Sequence, residues 1–127
     1  MLLAVNGTLM RGLELNGNLI RVGAVFQREA RTAPCYRVWS INDRYPGMLR
    51  VSAGGVSVSC EVWEISPDGL ADVLNREPAG LSIGRVKLDD GTDVFGVLAE
   101  PWLVEEKREI TQYRGWREYT ASLPARG

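Results

Sequence analysis

Three stretches of this chain hold groups whose types and spacing could do chemistry. The first is Asn6-Gly7-Thr8-Leu9, followed at short range by Arg11. A turn of small residues around a glycine can aim several backbone N–H groups at one point, and that point attracts carboxylate or phosphate oxygens. The plain alternative is an ordinary strand-to-turn connection. Arg11 could grip a carboxylate through two parallel hydrogen bonds, or it could be a surface charge. The second stretch is Glu77, set between Arg76 and Pro78. An acid at the end of a helix faces the negative end of the helix dipole, which should raise its pKa and suit it to accept a proton. The plain alternative is a solvated acid, or one paired with Arg76. The third is Tyr45-Pro46-Gly47. This rigid turn could seat a phenol at a pocket mouth, or be Pro-Gly turn chemistry and nothing more.

The sequence contains no histidine. That removes Ser-His-Asp and Cys-His nucleophile schemes and imidazole-ligated zinc. Acid–base work must then fall to carboxylate, Lys, Tyr or Cys. No metal spacing, phosphate loop or dinucleotide fingerprint is present, so neither a metal nor a cofactor is expected. Fifteen basic residues against sixteen acidic ones leave a net charge of −1, and no basic run suggests nucleic acid. The apolar runs are too short to span a membrane, and the first residues lack the features of a signal peptide, so a cytoplasmic protein is expected. Cys35 and Cys60 sit in strand-like contexts and are expected to stay reduced.

These groups need a scaffold. At 127 residues, 45% of them hydrophobic, the chain suits a single domain over 1–122 with a tail over 123–127. Leu2-Leu3-Ala4-Val5 reads as a buried strand leading into the Asn6 turn. The runs 24–30 and 36–41 could form a hairpin across Thr32-Ala33-Pro34. Met48 to Val51 and Val56 to Val62 read as further strands, with a parity change at Trp63 that suggests a bulge nearby. Ser66 as cap, Pro67 at the first helical position and Asp68 in the first turn open a helix that Pro78 closes. Its expected inner face is Leu70, Val73 and Leu74. Asp89-Asp90-Gly91 between two strand patterns predicts a hairpin. A closing helix over 113–122 would turn Trp116 and Tyr119 inward. The four tryptophans are expected in the core. Together these elements predict a compact α+β domain, a mixed β-sheet curling toward a small barrel with two or three short helices.

The strand running into Asn6-Gly7-Thr8-Leu9 resembles the Tyr-Gly-Ser-Leu motif of the gamma-glutamylcyclotransferase-like fold. Tyr45-Pro46-Gly47 resembles that fold's Tyr-Pro-Gly turn, and Glu77 falls where those enzymes carry their catalytic glutamate. A resemblance over about 24–119 points to the C-terminal domain of allophanate hydrolase. It rests on Arg31-Thr32-Ala33-Pro34-Cys35-Tyr36-Arg37-Val38, Pro46-Gly47-Met48, Glu61-Val62-Trp63-Glu64, Pro78 to Val86, Gly96 to Glu100 and Gly115-Trp116-Arg117. The resemblance implies an accessory domain that works beside an amidase and is implicated in decarboxylating the amidase product. This chain has no room for the amidase and no Ser-Ser-Lys core, so it resembles the accessory domain in free-standing form. Amide hydrolysis by this chain alone is not expected.

Asn6 and Thr8 replace the tyrosine and serine of the cyclotransferase motif, which leaves the backbone N–H groups in place. Glu77 stands where the allophanate hydrolase domain usually has an apolar residue. Histidine roles proposed for the decarboxylase cannot carry over. Three readings follow. One is a small-molecule enzyme that holds a carboxylated amide or carbamate on Asn6, Gly7, Thr8 and Leu9, with Arg11, Tyr45, Pro46 and Gly47 lining the site and Glu77 moving a proton. The second is a cyclotransferase that forms 5-oxoproline. The third is a non-catalytic module that pairs with a separate amidase. The reaction classes in view are hydrolase, lyase and transferase.

Overall fold

A computed structural model describes residues 1–124. Among them the chain runs β1 (Leu2–Val5), α1 (Asn16–Arg21), β2 (Val25–Arg31), β3 (Tyr36–Ile41), β4 (Tyr45–Arg50), β5 (Ser59–Glu64), α2 (Pro67–Arg76), β6 (Leu81–Lys87), β7 (Asp93–Ala99), α3 (Pro101–Val104), β8 (Arg108–Glu109) and α4 (Trp116–Ser122). The expected tail falls partly here, as Leu123 and Pro124, and otherwise outside the described residues. No helix among them is long and apolar enough to cross a membrane.

β1 is the middle strand of a five-stranded sheet ordered β2-β5-β1-β7-β6. It pairs antiparallel with β5, from Leu2↔Glu64 to Val5↔Glu61, and parallel with β7 at Leu3↔Phe95 and Ala4↔Gly96. Neighbours on both sides and cover on both faces explain its unbroken apolar run: Leu3 and Val5 are fully buried. A second sheet, β4-β3-β8, is antiparallel. Leu3, Val5 and Val62 of the first sheet share one core with Tyr36, Val38 and Met48 of the second. The α+β class and mixed sheet are those expected; the two sheets stay separate and do not close into a barrel.

The expected β2–β3 hairpin does not form. β2 pairs with β5 instead, while β3 pairs with β4 and β8. The connection crosses between sheets. Thr32 N–H bonds Val58 O, and Thr32 Oγ1 accepts from Val58 N–H at 2.9 Å. Ala33 N–H bonds Lys87 O, and Pro34, lacking an N–H, cannot extend a ladder. The bulge lies in β2, where the register slips between Phe26 and Arg28 opposite Trp63 and Val62. β5 begins at Ser59, later than expected, and Val56 makes only an isolated bridge to Tyr36.

α2 forms as its signals predict. Ser66 Oγ accepts from Gly69 N–H at 3.0 Å and Pro67 opens the helix. Val73 is buried, but Leu74 is 40% exposed and so off the inner face. The β6–β7 hairpin turns through Gly91 at φ +89°, a conformation that glycine adopts without steric cost. The closing helix is shorter than expected. A single 3-10 turn at Thr111–Tyr113 ends at Arg114, φ +62°, before α4 starts; Trp116 and Tyr119 are buried as expected. α1 and α3 are helices that the sequence pattern did not announce. Trp63 and Trp116 are core residues, Trp39 is half-buried and Trp102 is 53% exposed.

Candidate functional site

Between β1 and α1 the chain folds back on itself. Met10 N–H bonds Gly7 O at 3.0 Å and Leu15 N–H bonds Thr8 O at 2.9 Å. Asn16 Nδ2 holds Leu9 O at 2.8 Å, and Asn6 Nδ2 ties the loop to Val97 O of β7 at 3.0 Å. Every one of these bonds uses a carbonyl of the loop or a group outside its tip. The N–H groups of Gly7, Thr8 and Leu9 therefore meet no acceptor among the described residues.

Gly7 is where the loop meets Tyr45-Pro46-Gly47, a stretch that is not the expected turn: it forms the first residues of β4, paired with β3 from Ile41↔Tyr45 to Trp39↔Gly47, and the turn lies before it at 42–44. A Cβ on Gly7 would lie 2.6 Å from Pro46 Cδ and 2.8 Å from Cγ, well inside contact distance. Only glycine lets the loop close on the proline ring. The ring is bonded to the β4 backbone, so this contact fixes the Asn6–Leu9 loop against Tyr45 and Pro46.

Glu77 follows the last residue of α2 and adopts extended backbone, φ −77° and ψ 149°, so the chain leaves the helix there. Its side chain is half-buried and has no hydrogen-bond donor or cation as partner among the described residues. Arg76, a candidate local partner, instead binds Asp72, Nε to Oδ2 at 3.2 Å. Burial pushes the Glu77 carboxyl up to about 7. The direction is the one expected from the sequence, but the cause is desolvation rather than the helix dipole. Burial also raises the Tyr45 phenol, and the Glu77 charge raises it further, so the phenol stays protonated beside the carboxylate.

A cavity of about 340 Å³ joins these groups. Asn6, Gly7, Thr8 and Leu9 form one wall, Arg44, Tyr45 and Pro46 another, and Glu77 with Pro78 a third. Two expected residues stand apart. Arg11 does not line the cavity: its guanidinium pairs with Glu61 and Glu29 and lies 3.6 Å over the Phe26 ring. Gly47 packs behind the wall, where a Cβ would meet Ala99 and Val104 at 3.2 Å. The cavity also contains Glu14, Leu15, Leu81 and Val97, which sequence reasoning passed over. Glu14 and Leu15 arrive through the Leu15–Thr8 hydrogen bond, which has no sequence signature.

Sequence reasoning also missed Glu61, a buried carboxylate. Desolvation would raise its carboxyl, but hydrogen bonds from the Arg11 backbone, Trp63, the Arg11 guanidinium and Arg117 outweigh that and hold it below the ordinary value. The alternation Val56, Val58, Cys60, Val62 puts Glu61 on what reads as the wet face. Trp63, two residues on and therefore on the same face, was the available hint. Among the described residues no three Cys, Asp or Glu side chains cluster to hold a metal ion.

Comparison with known proteins identifies the family and the fold. The family described as the allophanate hydrolase C-terminal domain matches residues 1–121. The urea amidolyases of Lachancea kluyveri and Saccharomyces cerevisiae are each 27% identical, over 124 and 128 residues. These matches take in 92% and 95% of this chain but 7% of each relative, so the chain spans a small fraction of the curated proteins it matches. Among solved structures, a uropathogenic E. coli-specific protein is 57% identical with a TM-score of 0.93, covering 97% of each chain. Kluyveromyces lactis allophanate hydrolase is 27% identical with a TM-score of 0.89, over 94% of this chain and 21% of that one. An AIG2-like protein from Mus musculus, 19% identical with a TM-score of 0.63 over 81% of each chain, shares the fold alone. The architecture is the gamma-glutamylcyclotransferase-like fold. With a match running through nearly all of its length, this chain belongs to the allophanate hydrolase C-terminal domain family.

Proposed function

We propose that the cavity is the active site of a small-molecule enzyme acting on a compact carboxylated amide or carbamate. The observation that carries this reading is that one cavity is lined both by Gly7, Thr8 and Leu9, whose N–H groups meet no acceptor among the described residues, and by Glu77, a half-buried carboxylate with no cation beside it. The Gly7, Thr8 and Leu9 N–H groups hold substrate oxygens and stabilise negative charge as it develops there. Glu77, with a pKa of about 7, is populated as both acid and base near neutrality, so it can take a proton and return it. Neutral Tyr45 donates a hydrogen bond to the bound oxygen or to Glu77. Family membership supports work in concert with an amidase, since the urea amidolyases carry the matching segment within much longer chains.

The unpaired state of Glu77 also favours a second reading, a cyclotransferase. There Glu77 takes a proton from the alpha-amine of a gamma-glutamyl group, whose nitrogen attacks the side-chain amide carbonyl and expels the amine. Holding the reacting groups in one molecule supplies much of the rate in such a ring closure.

Crystals soaked in a small dicarboxylate test the pocket: density against Gly7-Thr8-Leu9 is the expected result, and an empty loop at saturating ligand refutes it. Turnover assays then separate the readings. Carbon dioxide release from small carbamates supports the first, and 5-oxoproline from gamma-glutamyl peptides supports the second. Glu77→Gln should abolish whichever activity is found, and full activity in that variant removes Glu77 from the chemistry. Silence on both substrate classes, with stable binding to an amidase, would leave the non-catalytic reading.

A further inference from the structure

Glu61 is tied to both ends of the Asn6–Met10 loop. Its backbone pairs with Val5, the residue just before the loop. Its carboxylate reaches the residue just after it: Oε1 accepts from the Arg11 backbone N–H at 2.9 Å, and Oε2 accepts from Arg11 Nε at 3.2 Å. Arg117 of α4 closes the ring, donating from Nη2 to the Arg11 carbonyl at 2.6 Å and to Glu61 Oε2 at 3.2 Å. Trp63 Nε1 donates to Oε1 at 3.2 Å. Both backbone groups of Arg11 are thus held from outside the loop, by residues far away in sequence. Glu61 is 2% exposed, so its carboxylate depends on these donors rather than on bulk water.

We propose that Glu61 is a positioning residue for the candidate site, which with Arg117 fixes the span between Val5 and Arg11 and so aims the Gly7, Thr8 and Leu9 N–H groups into the cavity. It touches no substrate and acts through the loop. The inference rests on the proposed function for what the loop binds, but not for how the loop is held. It also gives Arg11, which stands apart from the cavity, a role at the loop's exit.

The test is the pair of variants Glu61→Gln and Glu109→Gln, followed by backbone amide NMR and by titration with malonate. Glutamine keeps the size of Glu61 but turns an NH2 group toward guanidinium donors. In this variant the amide signals of residues 6–10 should shift and broaden, those of β3 and β4 should stay in place, and malonate affinity should fall at least ten-fold. Glu109→Gln removes the Arg37 ion pair on the other sheet. It should lower the melting temperature while leaving the loop signals and the affinity unchanged, as a general loss of stability would not explain the first result. Loop signals in Glu61→Gln that overlay the wild type overturn the inference. Should that variant fail to fold, Arg117→Gln removes the brace on the Arg11 carbonyl from a side chain that is 42% exposed, and the same readings decide. A wild-type protein that ignores malonate counts against the ligand reading, and the amide signals still decide the positioning role.

Discussion

Glu77→Gln should make the protein more stable at alkaline pH while abolishing turnover. The folded-state pKa of about 7 lies above the ordinary 4.5, so the fold favours the protonated carboxyl. Below about pH 4.5 the acid is neutral whether the chain is folded or not, and Glu77 costs nothing. As pH rises from there toward 7, the unfolded chain ionises while the folded one resists, and stability is lost at up to about 1.4 kcal/mol per pH unit. Above pH 7 the loss is complete and amounts to about 3 kcal/mol. Glutamine never ionises and escapes this loss. Its own packing and hydrogen-bonding effects do not depend on pH, so they cancel when the stability difference between variant and wild type at pH 4 is subtracted from that at pH 8.5. Urea denaturation at several pH values measures this, and about 3 kcal/mol corresponds to a midpoint shift of roughly 1–3 M. The variant should gain on the wild type steadily between pH 4.5 and 7 and level off above that. Parallel stability curves for the two proteins would refute the claim that burial raises this carboxyl.

Further predictions concern the scaffold and the second sheet. Gly7→Ala places a methyl group 2.6 Å from Pro46 Cδ, a ring atom that cannot swing away, and should cost roughly 1–3 kcal/mol in urea melts while weakening carboxylate binding in the same titration used for the wild type. Ser66→Ala removes the cap on Gly69 N–H and should cost about 1 kcal/mol by thermal denaturation, with no change in ligand affinity. Burial pushes the Cys60 thiol up to about 12, so a maleimide reagent at pH 8 should leave Cys60 intact in the folded protein and modify it only after unfolding, as mass spectrometry of peptides can show.

The parts of the structure legible in the sequence are those set by short-range chemistry. The α2 start, the Gly91 hairpin and the buried β1 run each follow from a few adjacent residues. What the sequence obscured depends on partners far along the chain. The β2–β3 hairpin looked natural because the two runs are neighbours, yet Arg31 pairs with Ser59 and the Thr32 hydroxyl with Val58, and no local pattern announces either. The site shows the same division. Asn6 to Leu9 could be named from turn chemistry, and Tyr45, Pro46 and Glu77 from resemblance, although Tyr45 and Pro46 open β4 rather than form the expected turn. Arg11 was read as a ligand for substrate because an arginine beside a glycine turn offers no sign that its partner is Glu61, fifty residues on. Glu61 itself is hidden by alternation, since period-two patterning assigns one face to water, and here Arg11, Trp63 and Arg117 close over its carboxylate on that face.

β1 occupies the centre of its sheet, and this has a consequence for the order in which the molecule is built. Its two neighbours are β5 and β7, and the last of their residues, Ala99, is 94 positions after Val5. At a synthesis rate of about 5–20 residues per second, Leu3 and Val5 wait roughly 5–20 s for both edges to be paired. During that interval the most apolar strand of the chain is a bare template for other strands. The contacts of the Asn6–Met10 loop are completed later still, when β4 brings Pro46 against Gly7 and β5 and α4 bring Glu61 and Arg117 to Arg11. The earliest part of this segment to be made is therefore among the last to be finished, and a chain lacking β7 would leave one edge of β1 unpaired.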